Sequence, residues 1–175
     1  LRMALRGIEP EIRYNFYGDP NKYPVSYKPS KTPQVWLCAH AGYGAERQAG
    51  LDIIEEIAKE IPEIIFHIYG FEWTNSAKFI KDNIIYHGFI PEEQFDEEVK
   101  DYQAGIRLHE FDGFSEVLAK SVLLGQYPIS YIKYPHIDCA KDEQELIILL
   151  RDLKNKKEPN FGARAFYLKE MEKPL

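Results

Sequence analysis

Residues 109–115 read HEFDGFS, which places a histidine, two carboxylates, a glycine and a serine within seven positions. They follow the short apolar run GIRL (105–108) and lead into EVLAKSVLLG, so they stand where a predicted strand ends and a predicted helix begins. Ser115 is of the type that caps a helix. Its hydroxyl accepts from a first-turn amide, and the neighbouring N–H groups are free to meet an anion such as phosphate. Asp112 offers acceptor oxygens to sugar hydroxyls. Capping accounts for Ser115 but not for the clustering of His109, Glu110 and Asp112. A second oddity follows in the helix itself, where Lys120 is a lone cation among Leu118, Ala119, Val122 and Leu123.

Two further loops carry polar or aromatic groups suited to a ligand. In HAGYGAER (40–47), Gly42 and Gly44 permit a tight turn with close backbone approach, and Arg47 adds a two-pronged phosphate donor in the first turn of the following helix. The spacing is not GxGxxG, and a plain strand-to-helix turn reads the same way. In YGFEWTNS (69–76), Gly70 marks another close approach, while Phe71 and Trp73 either pack on a ligand ring or cover the end of the sheet. The five histidines, at 40, 67, 87, 109 and 136, show no metal-ligand spacing, and His67 and His87 fall inside strands as structural residues. The two cysteines, Cys38 and Cys139, make neither a disulfide framework nor a zinc cluster. Cys38, in VWLCA, reads as a buried, reduced thiol.

The elements that must position these groups alternate. Apolar runs at 35–39, 64–69, 84–87, 105–108 and 128–132 are separated by helical patterns at 46–60, 91–102, 115–124 and 142–154. Strands apolar throughout, each followed by an amphipathic helix, predict an α/β fold: a Rossmann-like parallel sheet with helices on both faces. In such a sheet the ligand site lies beyond the carboxyl ends of the strands, where these loops fall. Residues 1–32, rich in Pro, Tyr and Lys with a possible strand at 12–17, read as a connector from a preceding domain. Residues 33–155 form the domain, and 156–175 hold a last helix, 160–172, with little to pack against. The chain begins at Leu1 and reads as an excised domain.

At 175 residues the chain is long enough for one domain with a real core and short for two. Its net charge of −6 argues against general nucleic-acid binding, which needs a basic face. No apolar run reaches membrane-span length and no signal-peptide pattern opens the chain, so a cytoplasmic location is expected.

Taken in order, the glycine-bearing loop 40–47, NIIYHGFIPEEQF (83–95) and DGFSEVLAKSVLLG (112–125) resemble the C-terminal domain of GT-B fold glycosyltransferases. The best match is the retaining group often called group one, or family four. That family pairs a Gly-rich loop bearing an Arg with a strand-and-turn element. A Glu-x7-Glu motif follows, typically Glu-Gly-Phe-Gly with a helix behind it, then Gly and Pro-Val-Ile. Here Gly113-Phe114-Ser115 matches Gly-Phe-Gly, and Gly125 with Pro128-Ile129-Ser130 matches the end with one extra turn residue. The likeness covers about residues 33–155.

Two positions depart from the pattern. Asp112 stands where the first Glu belongs, and Lys120, eight positions later, where the second belongs. A lysine only donates, so it cannot copy a carboxylate that accepts from ribose hydroxyls. No Lys follows Arg47 where the family pairs the two on the donor pyrophosphate, and Lys120 is expected to supply that charge. Starting the motif at Glu110 instead puts Leu118 at the partner position. The resemblance implies a nucleoside-diphosphate sugar donor, with no metal and no other cofactor. It makes Asp112 the candidate catalytic carboxylate. The donor-binding candidates are Gly42, Gly44, Arg47, Gly70, His109, Glu110, Asp112, Gly113, Phe114, Ser115 and Lys120. It also implies an N-terminal GT-B domain of the same full-length protein that holds the acceptor, and an isolated domain without activity. A GT-B-type epimerase or phosphorylase domain and a non-catalytic α/β binding module remain as alternatives.

Overall fold

The computed structural model describes residues 14, 16, 18–39, 50–70, 79–109 and 113–172. Strand β1, Gln34–Cys38, buries Val35 and Leu37 on one face and Trp36 on the other, with Cys38 half-buried beside it. A strand apolar on both sides belongs in the middle of a covered sheet. It lies there, between β2 (Ile65–Tyr69) and β5 (Ala104–Arg107), parallel to both. The full order is β3-β4-β2-β1-β5-β6-β7, with β3 Phe79–Lys81, β4 Ile84–Gly88, β6 Ile129–Ser130 and β7 Asp138–Cys139. Six of the described strands run parallel. The edge strand β3 departs from the all-parallel expectation and pairs antiparallel with β4. Its loop is only Asp82-Asn83, with Asp82 at φ 52°, and a two-residue turn returns the chain on itself. Both β3 and β7 were absent from the sequence-predicted strands, being too short to show a period.

Helices α1 (Leu51–Glu60) and α4 (Glu143–Asp152) cover one face. Leu51, Ile54, Ile57, Leu146, Ile147 and Leu150 pack there on Val35, Leu37, Phe66, Ile68, Ile84 and Ile106. Helices α2 (Glu92–Val99), α3 (Glu116–Leu123) and α5 (Phe161–Met171) lie on the other. Every residue of α3 from Val117 to Leu123 is buried. Gly105 makes this possible, since a Cβ there would stand 3.0 Å from both Ser121 Cβ and Trp36 Cζ2. The junction is tied by polar contacts as well as packing. Ser121 Oγ accepts from Gly105 N at 2.9 Å, and Gln126 Oε1 accepts from Ser121 Oγ at 3.0 Å and from Trp36 Nε1 at 2.9 Å.

The last helix corrects its expectation of isolation. Ala163 and Tyr167 of α5 are fully buried against Leu118 and Val122, and Arg164 Nε donates to Leu123 O at 2.8 Å at the end of α3. Helix α3 needs cover on its outer side because Leu118 and Val122 are apolar there, and α5 provides it. The N-terminal segment also lies on the domain. Ser26 N and Tyr27 N donate to Leu124 O, Ser26 Oγ donates to Lys100 O, and Tyr27 OH donates to Lys156 O. The possible strand at 12–17 lies outside the described residues apart from Tyr14 and Phe16.

Candidate functional site

After β1 the chain builds β2 and β4 on one side, then returns to place β5 on the other side of β1. At the carboxyl ends of β1 and β5 the connections therefore leave in opposite directions, which opens a crevice and makes this the expected ligand position. A cavity of about 350 Å³ lies at these ends. Its wall is formed by Trp36, Cys38, Phe95, Arg107, Ser115, Glu116, Val117 and Lys120. Strand alternation explains the floor. Trp36 and Cys38 of β1, and Arg107 of β5, point to the face opposite the Val35–Leu37 and Ala104–Ile106 core. Phe95 comes from α2, and the remaining residues come from the first turns of α3.

Ser115 is the N-cap of α3, its Oγ accepting from Leu118 N at 3.3 Å. The expected lone cation has its partner in the preceding helix. Lys120 Nζ lies 2.7 Å from Asp96 Oδ1 and 3.5 Å from Glu92 Oε1 of α2. The same ammonium stands 5.2 Å from the Phe95 ring centre and 5.4 Å from that of Tyr23. Tyr23 OH donates to the other Asp96 oxygen at 2.8 Å. Burial pulls the lysine pKa down, but the bonds to Asp96 and Tyr23 outweigh it and the net shift is upward, so the side chain carries its charge. Burial pushes Cys38 up to about 12 against the positive fields of Lys120 and Arg107, which keeps it a thiol.

Of the residues expected from sequence, Ser115 and Lys120 are in this wall. Gly113 and Phe114 serve the neighbouring cluster: Gly113 O accepts from Tyr134 OH at 2.9 Å, and Phe114 stacks on Tyr167 with ring centres 4.6 Å apart. Gly70 has a steric reason for being glycine. Its φ is 79°, and a Cβ would stand 2.7 Å from Ala39 O at the end of β1. His109 is half-buried, one residue beyond Leu108. Gly42, Gly44, Arg47, Phe71, Trp73, Glu110 and Asp112 lie outside the described residues. Trp36, Phe95, Arg107, Glu116 and Val117 were not singled out from sequence. The signal for Arg107 was present, as one charge in an otherwise apolar strand run.

His67 and His87 belong to a separate buried polar network beneath α2. His67 Nδ1 and His87 Nε2 are 2.9 Å apart, and His67 Nε2 lies 2.9 Å from Gln34 Oε1. Glu98 Oε2 is 3.1 Å from His87 Nδ1 and accepts from Tyr69 OH at 2.7 Å. The Tyr69 and Tyr102 hydroxyls are 2.8 Å apart. These bonds let polar side chains stay buried and fix α2, which carries Phe95 and Asp96, over the sheet. Among the described residues, no group of three or more His, Cys, Asp or Glu is placed to hold a metal ion. No helix among them is long and apolar enough to cross a membrane.

No protein-family model matches the chain, and no curated protein sequence does. Solved structures do. Over 98% of this chain and 55% of its own, the apo form of the lipopolysaccharide outer core galactosyltransferase WaaB aligns with a TM-score of 0.70 at 14% identity. Anabaena HepE in complex with UDP and glucose aligns over 92% of this chain and 53% of its own, with a TM-score of 0.60 at 12% identity. The pneumococcal O-GlcNAc transferase GtfA in complex with UDP and GlcNAc aligns over 86% and 34%, with a TM-score of 0.57 at 17% identity. The chain thus spans between a third and rather more than half the length of these structures. At such identities the likeness establishes the fold alone, a Rossmann-like α/β domain shared with part of each of these structures.

Proposed function

We propose that this chain is the donor-binding half of a retaining, group-one GT-B glycosyltransferase that works in the cytoplasm. It holds a nucleoside-diphosphate sugar while an N-terminal GT-B domain of the same protein holds the acceptor. The carrying observation is the cavity between the carboxyl ends of β1 and β5, with the capped start of α3 in its wall. In the transfer, the bond from the anomeric carbon to the diphosphate breaks and the acceptor oxygen bonds to that carbon. The nucleoside diphosphate leaves with the electron pair, and its phosphate oxygen takes up the proton of the acceptor hydroxyl. The domain's task is to hold the leaving diphosphate, through the first-turn N–H groups of α3 and the cations around it, so that charge developing on it is met by fixed dipoles. Asp112, at the family's first carboxylate position, is the proposed carboxylate at the sugar, and Arg47 a proposed phosphate ligand. No metal enters this reading.

One observation favours a second reading, a binding module that transfers nothing: Lys120, at the family's ribose-accepting position, is tied to Asp96. Calorimetry of the 175-residue chain with UDP, GDP and ADP, and with the matching nucleosides, tests the first reading. At least one diphosphate should bind, in the range of about 10 μM to 1 mM, as half a cleft gives up part of its contacts. The chain alone should transfer no sugar, because it cannot exclude water from the reacting centre. Absence of binding by all three diphosphates sinks the proposal. Binding without transfer once the N-terminal domain is supplied selects the second reading.

A further inference from the structure

Two cations, Lys120 and Arg107, stand in the cavity wall. The Lys120 ammonium meets Asp96 at 2.7 Å and has Glu92 at 3.5 Å, so an anion approaching it also approaches two carboxylates. Arg107 is the last residue of β5. Ala104 and Ile106 turn into the core on one face, and Gly105 and Arg107 turn to the other. Gly105 brings α3 down against the strand, with Ser121 and Trp36 at the contact limit. The next residue on that face therefore emerges at the first turn of α3, where Arg107 shares the wall with Ser115 and Glu116. Cys38, at the end of β1, lines the same wall, and burial drives its thiol up against the fields of Lys120 and Arg107. A guanidinium at a strand's carboxyl end, beside a helix start and above an aromatic floor, is placed to grip a phosphate with two parallel N–H bonds.

We propose that Arg107 is an anion-binding residue of this cavity, joining the start of α3 in receiving the diphosphate of a nucleoside diphosphate, and that Lys120 is a positioning residue that ties α2 to α3. This assignment rests on the donor-binding reading above. Glu116, in the same wall, opposes the anion. Its removal should tighten what the loss of Arg107 weakens.

The probes are UDP and uridine, titrated calorimetrically into the 175-residue chain. Arg107→Gln should weaken UDP by about tenfold or more and leave uridine within about twofold, because the loss is confined to the phosphate contact. Arg107→Lys keeps the charge but not the fork, and should recover only part of the affinity. Glu116→Gln should tighten UDP by about two- to fivefold. Lys120→Met should weaken UDP and uridine by the same factor, which marks a residue that shapes the wall without touching phosphate. The assignment falls, with the donor-binding reading intact, if wild-type chain binds UDP and Arg107→Gln binds it equally well or loses uridine in step. It also falls if Lys120→Met weakens UDP selectively. Both fall if wild type binds none of UDP, GDP and ADP; if it binds GDP or ADP but not UDP, that diphosphate and its nucleoside replace UDP and uridine in the same comparisons. Should Arg107→Gln not fold, Arg107→Lys decides: UDP affinity within about twofold of wild type overturns the two-pronged contact.

Discussion

A buried ammonium is stable only where its charge is met, and Lys120 meets its charge in Asp96. Lys120→Ala leaves the Asp96 carboxylate and the Tyr23 hydroxyl facing a void. Asp96 retains some solvent, so the loss should be about 2–3 kcal/mol rather than the larger value of a fully enclosed pair. Lys120→Met fills the space without the charge and should cost less. Lys120→Glu sets a third carboxylate beside Asp96 and Glu92 and should cost the most. Urea unfolding of the three variants orders them, and a glutamate variant as stable as wild type refutes the pairing. Sequence exposed the anomaly of Lys120 but not its solution, because Asp96 lies 24 residues earlier on a different helix. The charge of Arg107 stood out in its run, but its direction did not. One charge in a four-residue strand gives no period, and only the strand's place in the sheet shows which way it points.

The strands that build the crevice were legible as elements, because β1, β2, β4 and β5 are apolar runs bounded by Gly, Pro or Asn. What covers them was less so. The outer face of α3 is plainly apolar, yet nothing local names its partner, and the helix at 160–172 looked unsupported for the same reason. Their contact answers both. Tyr167 is fully enclosed, stacked on Phe114, edge-on to Tyr14 and Phe166, with its OH donating to Pro135 O at 2.8 Å. Tyr167→Ala should therefore destabilise the domain by about 3–5 kcal/mol. It should also loosen the loop that Phe114 anchors, one residue before the α3 N-cap. Differential scanning calorimetry measures the first effect. A loss below about 1 kcal/mol would mean that α5 is not part of the cooperative unit.

Across the whole molecule, tyrosine hydroxyls act as the fasteners: Tyr23 to Asp96, Tyr27 to Lys156 O, Tyr69 and Tyr102 to one another. Burial, and in Tyr23 the neighbouring Asp96, raises Tyr23, Tyr27 and Tyr102 to about 12, and Lys120 shifts upward as well. A group whose folded pKa exceeds its unfolded value stabilises the fold in full below the unfolded value, about 10 for these side chains, and loses that contribution as pH climbs through the folded one. Urea midpoints should thus be flat from about pH 7 to 9 and fall steeply between about 10 and 12. A midpoint unchanged at pH 11.5 would show that these hydroxyls titrate as freely as in water. The segment from Gly18 to Pro33 is fastened in the same way, through Tyr23 to Asp96 and onward to Lys120 in the cavity wall. Mechanically it is a drawstring. Tension on the chain before Gly18 reaches the two helices flanking the cavity through three side chains, without first passing through any strand of the sheet.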